Sequence, residues 1–219
     1  MNARNIIQDL FEFKDLFNVI SRRDNVNKLA NFAVAPISEG SKSSKSESLV
    51  VLNLYIQNCI SKQKKADQKG GRDDDKSDDN KNQDEDDDII VRHNSDDETN
   101  EDGDAQNPNS ATHQTNLLVD ILKEKVDEIT KILEVSHPGS PLINSVTDTP
   151  FIPLGPQRLH TADLVLHMLK MRKPVLYQAI IETKSLYNIL ELVKTYPWNN
   201  FLQLISINIF EEILNNCDN

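Results

Sequence analysis

The sequence predicts an all-α protein of stacked helical hairpins, HEAT- or armadillo-like, with a long disordered acidic insertion. Three observations predict it. Apolar residues recur at spacings of three and four, the period of one helix face, on both sides of the insertion. The periodic segments are short, so none can bury its apolar face alone and neighbours must stack. The charge is concentrated in one place. The 219 residues carry a formal net charge of -11, yet 17 acidic and 5 basic residues lie between Asp67 and Asp104. The rest holds 18 acidic and 19 basic residues and is close to neutral. No clean internal sequence repeat accompanies the helical pattern.

Residues 1–62 read as N-terminal helices. In "NIIQDLFEFKDLFNVIS", Ile6, Ile7, Leu10, Phe13, Phe17 and Ile20 share a face. Val26, Leu29 and Phe32 give a second short helix, ended by Pro36 and "SEGSKSSKSES". Leu49, Leu52, Ile56, Cys59 and Ile60 mark a third, with Ser46 or Ser48 suited to cap its start. Residues 63–114 are nearly devoid of apolar side chains. Such a segment cannot offset the entropy of ordering, and its like charges repel, so it reads as disordered.

From Thr115 to Asn219 the helices resume. Leu118, Leu122, Val126, Ile129 and Leu133 form one stripe of about five turns, stopped by His137-Pro138-Gly139. A proline-rich connection leads to Pro156, which opens a helix with Leu159, Ala162, Leu166 and Leu169 on one side. Pro174 suits the first turn of the next, and Ser185 suits the cap of another, with Leu186, Ile189, Leu190 and Val193 inward. Pro197 ends that helix. "NNFLQLISINIFEEILNN" forms the last, with Phe201, Ile205, Ile209 and Ile213 on one face. "LISINIF" alternates and is the single segment compatible with a strand. About eight helices result.

The chemistry of an enzyme is not legible. His160 and His167 lie seven apart on one helix, but no cysteine or further ligand accompanies them to complete a metal site. Gly70-Gly71 has no strand before it and no Lys-Ser/Thr after it, so it is not a phosphate loop. Glu211 and Glu212 point about 100° apart and cannot act as a facing acid pair. No cofactor is expected. The basic cluster Lys62 to Arg72 runs straight into acid, which argues against nucleic acid. No 18-residue apolar run spans a membrane, and the charged N-terminal stretch is unlike a signal peptide. Cys59 and Cys217, far apart and without a CxxC, favour a reducing compartment: the cytoplasm, with the nucleus as a second location. Ser95 and Thr99 are followed by acidic residues and fit an acidophilic kinase.

"TYPWNNFLQLI" holds the sole tryptophan between two helical patterns. Pro and Asn supply turn chemistry, and Trp198 reads as a packing anchor for the corner, with direct partner contact as the other reading. Residues 153–214 resemble the C-terminal half of the SAPS domain, the regulatory subunits of protein phosphatase 6 and its yeast Sit-four-type relative. Pro153, Leu154, Gly155, Arg158 and Leu159 match the "P-[LV]-G-x-x-R-L" entry. Leu190, Leu192 and Val193 fall in the middle helix. Tyr196, Trp198, Asn199, Asn200, Phe201 and Leu202 match the "Y-x-[WF]-N-N-F-L" signature without gaps, and Gln203 stands where the family has His. Segments 10–24, 48–59 and 126–133 match family helices more loosely. The resemblance implies a non-catalytic subunit that binds a Ser/Thr protein phosphatase catalytic subunit and controls its activity, substrate choice or location. Arg158, Tyr196, Trp198, Asn199, Asn200 and Phe201 are then the signature and candidate partner-binding residues. The alternative is a helical-repeat scaffold or trafficking adaptor unrelated to phosphatases.

Overall fold

Amphipathic periodicity of 3.6 and turn residues between periods give nine helices among the described residues. A computed structural model describes residues 13–35, 42–70, 111–134, 143–144 and 150–217. The helices are α1 (Lys14–Ile20), α2 (Arg23–Val34), α3 (Lys42–Gly70), α4 (Ala111–Glu124), α5 (Val126–Ile132), α6 (Pro156–Lys170), α7 (Pro174–Glu182), α8 (Ser185–Thr195) and α9 (Asn200–Cys217). Strands β1 (Ile143–Asn144) and β2 (Pro150–Phe151) pair antiparallel, with Ile143 opposite Phe151. They precede α6. Gly155 then adopts φ +80, a conformation that only glycine takes freely, and Pro156 sits in the first turn of the helix.

Helices three places apart pack together throughout. The Gln114 amide of α4 donates to Asn18 Oδ1 of α1 at 3.2 Å. α2 meets α5, α3 meets α6, α4 meets α7, α5 meets α8 and α6 meets α9. The third helix of each trio is the longest of its three, at 29, 15 and 18 residues, and α3, α6 and α9 stack in that order. α6 is the middle layer. Its six consecutive residues Leu164–Leu169 are all buried, because α3 covers one side and α9 the other.

The α3–α6 seam is not purely apolar. The Asn53 amide donates to the His160 carbonyl at 3.0 Å and to Asp163 Oδ2 at 3.3 Å. The Gln57 amide donates to His167 Nε2 at 2.7 Å, and His167 Nδ1 donates to the Asp163 carbonyl at 2.8 Å. Both ring nitrogens are thus engaged as a neutral imidazole. A second buried link joins α5 to α8, where the Thr130 and Ser185 hydroxyls lie 2.5 Å apart.

Several sequence expectations are corrected. α3 begins at Lys42, inside the expected linker, so Ser46 and Ser48 are helical rather than capping. It also runs to Gly70, and α4 starts at Ala111, so both ends of the 63–114 insertion are helical. Helical hydrogen bonding propagates cheaply from an anchored core into polar flanks. Residues 71–110, with Ser95 and Thr99, lie outside the described residues, as do the first twelve residues and His137-Pro138-Gly139. The five-turn stripe is broken at Lys125, yet Leu118, Leu122, Val126, Ile129 and Leu133 all remain buried. Phe32 faces solvent, and Ala30 and Ala33 take the inner positions, where small side chains let α2 approach its neighbours. Leu190 is exposed while Leu192 is buried. Ser185 is no cap; its hydroxyl bonds those of Thr130 and Thr183 instead. "LISINIF" is helical, because its alternation is overridden by packing on α6.

Two measurements check this architecture. Leu164→Ala, in the covered middle of α6, is expected to lower unfolding free energy by ~3 kcal/mol in urea titration. Leu214→Ala, on the open side of α9, should lower it by less than ~0.5 kcal/mol. Burial, against the pull of the Asp163 carboxylate, holds the His167 pKa below its ordinary value. The unfolded chain titrates near pH ~6.5 and so takes up a proton that the fold resists. Stability should therefore fall as pH drops from about 7 towards about 5, and His167→Gln should flatten that decline in urea midpoints.

Candidate functional site

The signature residues divide into two groups. Arg158 lies in the first turns of α6 and is buried. Its Nη1 donates to the Tyr196 hydroxyl at 2.9 Å, tying the start of α6 to the end of α8. A buried guanidinium is tolerated only where such partners replace water. Tyr196 closes α8, its N–H bonded to the Leu192 carbonyl, and Pro197 prevents continuation. Asn199 is the third structural member. Its N–H donates to the Tyr196 carbonyl at 3.0 Å, and its Oδ1 accepts from the Leu202 N–H at 3.0 Å, capping α9. The Gln203 side-chain amide donates to the Pro197 carbonyl.

These bonds close the turn with its own groups, and nothing in it requires Trp198 to pack inward. Trp198 is 92% exposed and Phe201 72% exposed. The expectation of a packed tryptophan corner is overturned: Tyr196 and Leu202 do the packing, and Trp198 stands at the apex in solvent. Phe201 likewise leaves the inner face expected for it. α9 turns Leu202, Ser206 and Ile209 towards α6, with Ile205 and Ile213 partly buried beside them. Asn200, at the first helical position, is exposed.

A surface that sequence reasoning missed continues from Phe201. Leu204, Ile207 and Leu214 are exposed on the same side of α9, opposite the face that packs on α6. The signal was present: α9 is apolar on two sides, a pattern proper to a helix covered from both. Glu211 sits among these residues and is exposed. Its neighbour Glu212 pairs with Arg172 at 3.1 Å.

The groups searched for chemistry fall elsewhere. His167 is held within the α3–α6 seam by Gln57 and the Asp163 carbonyl. No group of three or more His, Cys, Asp or Glu capable of holding a metal occurs among the described residues. The Cys59 thiol is pushed up to about 12, chiefly by burial, and stays protonated in the core. No helix among the described residues is long and apolar enough to cross a membrane.

Removing the Tyr196 hydroxyl should loosen the α6–α8 tie. Tyr196→Phe is expected to lower stability by ~1–3 kcal/mol in urea titration, since a buried charged donor loses an acceptor.

No protein-family model, curated protein or solved structure matches the chain.

Proposed function

We propose that this chain is a non-catalytic regulatory and scaffolding subunit that binds a Ser/Thr protein phosphatase catalytic subunit of the protein phosphatase 6 type. In this reading it modulates the activity, substrate choice or location of that subunit, and the metal chemistry belongs to the partner. The reading starts from the SAPS-like stretch 153–214. The observation that carries it is the exposure of Trp198 and Phe201 within that stretch. A large aromatic at the apex of a turn gains nothing from water and is the kind of residue that anchors protein interfaces. The rest of the signature supports this arrangement by fixing the turn, through the Arg158–Tyr196 and Asn199–Leu202 bonds. The three-place packing of the helices supports an armadillo-like repeat form, in which three helices make one unit.

Affinity capture of the tagged protein from its own cells, read by mass spectrometry, tests the reading. The native chain should retain a Ser/Thr phosphatase catalytic subunit. Trp198→Ala with Phe201→Ala should reduce that capture at least about tenfold with an unchanged urea midpoint, as expected for exposed hot-spot residues. Capture without any phosphatase catalytic subunit would sink the proposal.

A further inference from the structure

We infer that Gln203 is the positioning residue of this site: it holds the turn that carries Trp198 and leaves the indole uncovered for a partner. The inference rests on the reading that Trp198 is a partner contact, not on that partner being a phosphatase.

Two observations meet at Gln203, and the first is a hydrogen bond. Residues Tyr196–Asn199 form a tight turn, closed by the Asn199 N–H on the Tyr196 carbonyl at 3.0 Å. Pro197 and Trp198 are its central residues. The peptide between them is the part of such a turn that can rotate over, and rotation converts one turn type into another. The rotated form demands a positive φ at Trp198, which suits glycine and not a bulky side chain. Arg172 is the one non-glycine residue with positive φ among the described residues, so Trp198 holds the unrotated form. The Gln203 side-chain amide donates to the Pro197 carbonyl, which belongs to that same central peptide. It therefore pins the plane from which the Trp198 side chain departs.

The second observation is an apolar contact that does not form. Asn199 caps α9 through its bond from the Leu202 N–H. Trp198 is the residue just before that cap, and Gln203 is the fourth residue of the helix. A hydrophobe before a helix cap commonly folds back onto an apolar residue at that fourth position, as a staple. Gln203 puts a polar, half-buried group there and directs its amide to the turn. The staple is absent, and Trp198 is 92% exposed. One side chain thus fixes the turn and withholds the surface that would draw the indole in.

Trp198 is the sole tryptophan, so its fluorescence in the full chain reads the inference directly. Gln203→Leu supplies the missing staple. Its Trp198 emission should shift to the blue and acrylamide quenching should fall, with a urea midpoint equal to or above the native one. Gln203→Glu keeps the size but removes the donor. Its emission should stay unshifted, while time-resolved anisotropy shows faster local motion of the indole. A purely stabilising role for Gln203 would lower the urea midpoint and leave these signals unmoved, and that result overturns the inference. So does a Gln203→Leu emission and quenching identical to the native chain. Capture from cells then separates the two readings. Gln203→Leu should retain at least about fivefold less of the phosphatase catalytic subunit than the native chain. Equal capture by both forms would leave the phosphatase reading standing and sink the role of Gln203. Fluorescence changes as expected, with no phosphatase captured by the native chain, would leave the positioning of Trp198 standing and sink the phosphatase reading.

Discussion

Burial of α6 between α3 and α9 is the constraint on which the other elements depend. A helix with Leu164–Leu169 all inside has no solvent face in its middle, so two long helices must flank it. That requirement brings residues 42–70 and 200–217 onto either side of one central element. The shorter helices then follow the same three-place spacing, and their small or hydroxyl-bearing inner residues permit close approach. Ala30 and Ala33 do this for α2, and Thr130 with Ser185 does it between α5 and α8.

Polar groups inside this stack specify its register rather than its chemistry. Asn53, Gln57, Asp163 and His167 match donor to acceptor across the α3–α6 seam. A one-turn slip would leave several of them buried without partners, which is costly in a low-dielectric interior. Arg158 performs the same service at the other end of α6, where its bond to Tyr196 fixes how α8 enters the turn. The turn in turn fixes where Trp198 stands. Internal order and external exposure are therefore linked: because Tyr196 and Asn199 satisfy the corner, Trp198 and Phe201 are free to face outward.

Much of the helical layout was readable from residue types. Pro156 and Pro174 open helices, Pro197 separates α8 from α9, and the Leu118 to Leu133 stripe is buried as its spacing implies. The failures have physical causes. Phe32 and Leu190 look like core residues because hydrophobicity alone does not say which neighbour is close enough to cover them. Ser185 looks like a cap because a serine before a periodic run is one locally, whereas its hydroxyl bonds Thr183 and also Thr130, 55 residues earlier. Trp198 looks like an anchor because large aromatics are usually buried. Its exposure follows from the hydrogen bonds of a four-residue turn.

The residue pattern alone makes the chain helical on both sides of its acidic segment and places most helix ends roughly, though not those of α3. Those properties are local: period, proline and asparagine act within a few residues. It also determined that α9 would be apolar on two faces. Which of those faces is buried follows from packing against α6. Leu202, Ser206 and Ile209 are inside because α6 lies there, while the more hydrophobic Phe201, Leu204 and Ile207 remain in solvent. The choice depends on where a helix some forty residues earlier comes to rest, and no local pattern of residues carries that information.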